Sequence, residues 1–477
     1  MITPTAPLRK QASTRRTALQ NDWAYAEFAH TPLRDARCRT TLVGACQQLA
    51  EQSQLSLSRA LGPRRKAVSR LLYHPKTTAA TLLEGHVRAT ALRAQAHPLV
   101  LIASDTTSCD FTTHKSVTDL GPISDKAHQQ GFFVHSALAL TPDGLPLGLL
   151  AQHTWVRAPV PTDSAHTKRK RLFADKESHK WLDALRAVEA ALPTAPKALL
   201  IQDSEADIFA FFAAERRDGL DLLIRAVQPR CIEVETPAVP ALPAVPHTLL
   251  KAVAVAPIVA THTVSVVARP DRPAREAHVT VRLRPVLICA PRNGADPKAD
   301  AVAAWVVSAC EETPPATVQE PIHWILLTTL VTVDAALAVQ LVGYYALRWR
   351  IERFHFVLKS GCRYEKVQCA TRAALQKLLS LYSVVAWQLL FLTYLARAAP
   401  LTAVEVVLSG TERDLLQRHQ GQPIHTAQEA LLAVARLGGF RAVPSAPWPG
   451  VYSLWLGLRK LHDMVAGYLL ARQSASP

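Results

Sequence analysis

The stretch Tyr345-Ala-Leu-Arg-Trp-Arg-Ile-Glu-Arg-Phe-His-Phe-Val-Leu-Lys359 gathers a phenol, several cations and a carboxylate in fifteen positions. Wound as an α-helix at about 100° per residue, it sets Tyr345, Arg348, Glu352 and Lys359 at about 0°, 300°, 340° and 320°, on one narrow polar face. Two readings suit that face. It is a solvated face laced with ion pairs, such as Glu352 to Lys359, or its acid holds a divalent ion while the cations hold phosphates beside it. Two further acids bear on the choice. Asp105 ends the apolar run Leu99-Val-Leu-Ile-Ala-Ser104, and Asp203 ends Ala198-Leu-Leu-Ile-Gln202. Both runs read as strands buried on both faces. An Asp after a strand serves as a turn residue or helix cap, but if the two strands lie side by side and parallel, both carboxylates reach a common ion. Ligands of open α/β sheets gather at such strand ends. Three acids with cations beside the third suit two-metal phosphoryl transfer on DNA, with no protein nucleophile.

Composition agrees with a polyanionic partner. Lys and Arg outnumber Asp and Glu by 54 to 38 in 477 residues, a formal charge of +16, and nucleic acid is the commonest polyanion for a soluble protein. With 49% hydrophobic and 19% charged residues the chain is globular and long enough for two to four domains. Its eight cysteines form no Cys-x-x-Cys pair and no zinc spacing with histidines, as expected of thiols in a reducing cytoplasm. Met1 to Asn21 is basic without an apolar core, unlike a signal peptide. Leu378 to Ala396 has no charge, but Ser380, Ser383, Gln388 and Thr393 interrupt it, so a buried helix is expected there and not a membrane span. The expected location is cytoplasmic, with the nucleoid.

Several elements must position the acids. From Asp22 to about Gln95 the periodicity is helical. Within it Gly62-Pro-Arg-Arg-Lys-Ala-Val-Ser-Arg-Leu-Leu-Tyr73 puts Arg64, Arg65, Lys66 and Arg70 on one short helix, either a solvated basic face or a DNA contact. Strands are expected at Leu99–Ser104, Phe132–Leu140 and Leu145–Leu150, then a basic loop at His166–Arg171. A helix from about Lys176 to Leu192, the strand ending at Asp203, a helix through Phe212 and a strand at Leu222–Ala226 complete a mixed α/β sheet. The Pro-rich Thr236 to Pro246 cannot be regular structure. It opens a β-rich segment of about ninety residues, with strands at Thr263–Ala268 and His278–Leu287 and turns at Pro270–Pro273 and Pro291–Gly294. Ile322 to Thr329 returns to the core as a strand. Helices are expected at Ala374–Arg397, Ala427–Leu437 (stopped by Gly438-Gly439) and Val451–Arg472.

The spacing Tyr345-x2-Arg348-x3-Glu352-x6-Lys359 resembles the Y-R-E-K motif of bacterial DDE transposases, the cut-and-paste, hairpin-forming insertion-sequence enzymes. The likeness continues in order through Asp105-Thr-Thr, Gln130-Gly-Phe-Phe-Val-His-Ser136, Asp203-Ser-Glu-Ala-Asp-Ile208, Trp324 to Thr328, Arg348 to Glu352 and Ala435-Arg-Leu-Gly-Gly-Phe440. It implies a ribonuclease H-like α/β core in two parts, 96–229 and 322–372. It also implies a β-rich insertion at 230–321, an end-DNA-binding helical domain at 1–95 and a helical dimerisation domain at 373–477. By position Asp105, Asp203 and Glu352 would hold Mg2+, with Mn2+ as a substitute and Asp105 shared between two ions. Tyr345, Arg348 and Lys359 would hold DNA phosphates, and Trp324 and Trp349 a flipped base; packing in the core is the other reading of both tryptophans. The implied partners are terminal inverted repeats, target DNA and a second copy of the chain. Ser204 departs from the basic residue common in the family. Two other functions fit a weaker form of the same site: an end-binding protein that has lost its chemistry, and a metal-dependent nuclease without strand transfer.

Overall fold

The computed structural model describes residues 23–52, 55–124, 128–157, 176–194, 196–233, 248–266, 274–292, 298–316, 318–443 and 447–474. The basic loop at 166–171, the Pro-rich stretch 236–246, the turn at 270–273, part of that at 291–294 and the residues before 22 lie outside them.

Among the described residues eleven strands form one sheet: β1 (Leu99–Asp110), β2 (Gly121–Pro122), β3 (Gln130–Leu140), β4 (Pro146–Trp155), β5 (Lys197–Gln202), β6 (Leu220–Arg225), β7 (Ile232–Glu233), β8 (Ile258–Val266), β9 (Arg275–Ile288), β10 (Val302–Cys310) and β11 (His323–Thr328). β4, β3 and β1 are antiparallel neighbours, and β1, β5 and β6 are parallel. That order, third-second-first-fourth-fifth among the five main strands, is the ribonuclease H-like arrangement. β11 joins β6 antiparallel, and β10 and β9 extend the same sheet, so the segment after residue 230 continues it at the far edge.

The sheet is covered on both faces, which explains the unbroken apolar runs. Leu101, Ala103, Leu199 and Ile201 pack into one core, and Val100, Ile102, Ala198 and Leu200 into a second. Burying a side chain such as Leu101 or Ile102 contributes roughly 1.5–3 kcal/mol. One expectation is corrected here. β1 does not stop at Ser104; it runs on to Asp110, because β3 keeps pairing with it from Asp105–Ser136 to Asp110–Gly131. The apolar run ends earlier since Asp105 to Ser108 are only partly covered.

The uncharged helix spans Arg372–Ala398, the one described helix long and apolar enough to cross a membrane, with 89% of its most apolar window buried inside the protein. Many of its polar residues are engaged. Ser380 Oγ donates to the Ala79 carbonyl, Gln376 to Thr154, Ser383 to Gln152, and Trp387 Nε1 to the Pro146 carbonyl. Lys377 donates to Leu72 and His74. The helix thus ties the N-terminal helices to the sheet. Beyond it, helices Gly410–Gln420 and Ala427–Leu437, each opened by a capping box, pack with Val451–Ser474. The last two cross at Gly457, where a Cβ would fall 1.8 Å from the Val434 carbonyl oxygen, so only glycine permits the approach.

The stretch from Tyr345 to Lys359 is not one helix. A helix ends at Ala346, a second covers Trp349–Phe356, and a π-turn holds Val357–Gly361. At the junction Arg348 N donates to Tyr345 and Arg350 N to Leu347, three residues back, which tightens the chain and turns it. Tyr345 is consequently packed in the core, 3% exposed, and Arg348 is 7% exposed. The face predicted to be uniformly polar is partly interior.

Candidate active site

The register of β1 on β5 pairs Leu99 with Lys197 and Ala103 with Ile201, an offset of 98 (201 − 103). The same offset carries Asp105 to Asp203 (203 − 105). Since Ala103 and Ile201 share one core, alternation along extended chain sends both carboxylates to that face. Asp105 Oδ1 accepts from Thr106 N at 2.7 Å, and Asp203 Oδ1 accepts from Glu205 N at 2.9 Å, capping the short turn Ser204–Ala206. The helix Trp349–Phe356 packs against β1 and delivers the third acid.

Arg348 stands among the three. Its Nη2 donates to Glu352 Oε1 at 2.6 Å, and its charge acts on Asp105, Asp203 and Tyr345. Burial would lower its proton affinity, yet the phenol and the three acids hold it above the ordinary arginine range. Its Nε is buried without a hydrogen-bond partner. Burial pushes the Asp105 carboxyl up to about 7, with Asp203 and Glu352 adding to the rise and Arg348 and the Thr106 amide opposing it. Asp203 is also raised by burial, against Arg348 and the Glu205 amide. Burial raises the Tyr345 phenol, opposed by Arg348 and Arg225.

The other anticipated residues divide. Lys359 sits in the π-turn, donating to the Ser108 carbonyl at 2.8 Å, three residues along β1 from Asp105. Trp324, on β11, meets Tyr345 edge to face at 5.1 Å between ring centroids, and Trp349 is 39% exposed with the Arg348 guanidinium 5.1 Å from its ring centre. The two indoles therefore flank the Tyr345–Arg348 pair. Arg64, Arg65 and Lys66 are exposed on the first helices, apart in sequence and fold from the acids. Arg64 lies over Gly44, whereas Arg65, Lys66 and Arg70 line a cleft whose other wall includes Gln368 and Cys369.

Three groups escaped the sequence reading. Lys180, paired with Glu205 at 2.9 Å, supplies the cation beside Asp203, where position 204 offers a serine. His355 is buried and held down to about 3 by burial and by Lys359. Glu365 meets Lys359 at 3.3 Å. Glu205 carried a signal as an acid inside the Asp203 block and His355 as part of the Tyr345–Lys359 stretch; Lys180 and Glu365 reach the acids by tertiary placement.

The donor set suits a hard divalent cation: three carboxylates, two of them lifted by a burial that a cation would offset. Among the described residues no group of three or more His, Cys, Asp or Glu side chains is gathered closely enough to hold an ion, and Glu352 is turned to Arg348.

The α/β protein thus has a ribonuclease H-like sheet with acids level on adjacent parallel strands, a third acid on a packed helix and a cation between them. Residues 157–388, just under half of the chain, match the family described as "Transposase DDE domain". This match supports a DDE transposase, a class of DNA-cleaving and strand-transferring enzyme. It takes in Asp203, Trp324, the Tyr345–Lys359 stretch and Glu352, and leaves Asp105 outside. A cryo-EM structure of a piggyBac transposase synaptic complex with hairpin DNA aligns over 96% of this chain and 79% of its own, at 8% identity and a TM-score of 0.33. A likeness that low decides nothing about this chain.

Proposed function

We propose that this chain is a bacterial Y-R-E-K transposase that moves DNA by cut and paste, cleaving its element's ends, closing and reopening hairpins, and joining the ends to target DNA. The observation that carries the proposal is the register that sets Asp105 level with Asp203, with Arg348 linking both to Glu352. Asp105, Asp203 and Glu352 would hold Mg2+ or Mn2+, which when bound polarises phosphate oxygens and lowers the proton affinity of water. The chain's own residues do the rest. Arg348 and Lys359 are placed to meet phosphates on either side of Glu352, Arg348 exchanging a carboxylate for a phosphate, a pairing that its planar fork suits. Tyr345 braces Arg348 from below. Trp324 and Trp349, on the two sides of that pair, offer aromatic faces to an unstacked base at the end being closed. Arg65, Lys66 and Arg70 are cations for the end DNA away from the cleaved bond, where contacts to the backbone position without reading sequence.

Pairing two ends requires two copies, which we assign to the C-terminal helical region. Its last helix leaves Tyr452 67% and Leu469 46% exposed. The test is incubation with the element's own terminal repeats and magnesium, with nicks, hairpins and joined products read on one gel. Asp105→Asn and Glu352→Gln should abolish cleavage while end binding persists. Cleavage by either variant would remove these residues from the site.

A further inference from the structure

Lys359 is held, and the holder is a carboxylate from the next turn. The π-turn closes with Cys362 N donating to the Val357 carbonyl at 2.7 Å. Arg363 then adopts φ +54°, the one non-glycine with positive φ among the described residues, and reverses the chain. The following turn, Tyr364–Lys366, is anchored by the buried Tyr364, whose hydroxyl donates to the Leu375 carbonyl at 2.8 Å and whose ring meets Phe111 edge to face. Between those anchors Glu365 points back at β1. Its Oε1 accepts from Asp110 N at 2.9 Å and meets Lys359 Nζ at 3.3 Å, while the same ammonium donates to the Ser108 carbonyl at 2.8 Å. Glu365 thus joins the end of the strand that carries Asp105 to the lysine on the far side of Glu352.

We propose that Glu365 is a positioning residue that holds the Lys359 ammonium against the end of β1, at a fixed place relative to Asp105. Three features favour this over a simple strand-end tie. The backbone pays for the arrangement with a left-handed arginine. Both partners are partly shielded, the Lys359 and Glu365 side chains being 28% and 22% exposed, so the pair is less screened than a surface bridge. And an ammonium has three donors, of which the Ser108 carbonyl takes one while the Glu365 carboxylate draws the ammonium to its own side, so its direction is restricted. A lysine has four rotatable carbons and little orientation of its own, so the clamp supplies what the side chain lacks.

The proposal rests on the transposase reading for what Lys359 meets, and two measurements separate the two claims. In the DNA-free protein, acylation of Lys359 by an N-hydroxysuccinimide ester, followed by mass spectrometry, should run several-fold faster in Glu365→Ala than in the parent and near the parent rate in Glu365→Gln. This readout needs no transposition. In single-turnover cleavage at saturating end DNA, Glu365→Ala should lose about tenfold in rate, near 1.4 kcal/mol of barrier, with end-binding Kd unchanged and melting temperature close to the parent's. Glu365→Gln, which keeps the acceptor, should recover most of that rate. Equal acylation in all three proteins overturns the clamp, whatever the DNA assay shows. Altered acylation with no cleavage by the parent leaves the clamp standing and overturns the transposase reading instead. A rate loss matched by an equal fall in melting temperature, with Glu365→Gln no better than Glu365→Ala, makes Glu365 a strand-end tie and also overturns the proposal.

Discussion

Asp105→Asn tests the electrostatics of the site without any DNA. The carboxyl is pushed up from 3.8 to about 7, chiefly because its charge is largely removed from water. At about 1.4 kcal/mol per pH unit, roughly three units set a ceiling near 4 kcal/mol, and partial solvent access brings the expected figure to about 2. The sign follows from linkage. A folded-state value above the unfolded one means that the folded protein binds the proton more tightly, so this group's contribution is fully present below about pH 4 and is lost as pH rises through about 7. Asparagine never ionises, and its carbonyl still accepts from Thr106 N. In EDTA at pH 8 the variant should therefore be the more stable protein. With an unfolding entropy of about 2.1 cal/mol/K per residue, 2 kcal/mol across a chain of this length is about 2 °C in melting temperature. At pH 5 the gain should shrink to less than half, and added Mg2+ at pH 8 should raise the parent's melting temperature but not the variant's. Differential scanning fluorimetry at both pH values, with and without Mg2+, is the assay. A variant less stable than the parent at pH 8 in EDTA, or a difference that does not change with pH, would refute the claim that burial governs this carboxyl.

Arg348→Ala should be worse than the loss of a surface ion pair, because it leaves Glu352, Asp105 and Asp203 facing one another without their common cation; about 2–3 kcal/mol of stability should go, read by urea unfolding at pH 8, with part of the loss recovered at pH 5. Trp324→Ala is expected to spare nicking and reduce hairpin formation several-fold on end-labelled DNA, whereas parallel loss of both steps, with a lower melting temperature, would return the indole to a packing role against Tyr345. Gly457→Ala puts a methyl group into the Val434 carbonyl, so the two C-terminal helices must part; a cost of about 1–3 kcal/mol is expected, against a neutral effect of Gly343→Ala, where a Cβ meets open space.

The acids of the sheet were legible because a strand buried on both faces leaves little choice. A short run of apolar residues between breaks has to cross the core, and two such runs with an Asp at the same place end level when they pair in parallel. The spacing of 98 was in the chain; that it is also the pairing offset only the sheet could show. The helix that carries Glu352 was less legible for the opposite reason. Nothing between Tyr345 and Lys359 is a proline or glycine, so local rules continue one helix through it. What breaks that helix is tertiary: Tyr345 is pulled into the core beneath Trp324, and Arg348 is pulled inward by acids from three separate elements. The break in turn changes what the motif means. On an unbroken helix Arg348 and Lys359 would lie on one stripe, each free to pair with Glu352 or with solvent. In the folded chain the turn at Arg348 and the π-turn at Lys359 divide them, one cation committed to the carboxylates and the other to β1. The spacing of the motif therefore meets two different supports in the fold, the carboxylates for Arg348 and β1 for Lys359, with Glu352 between them.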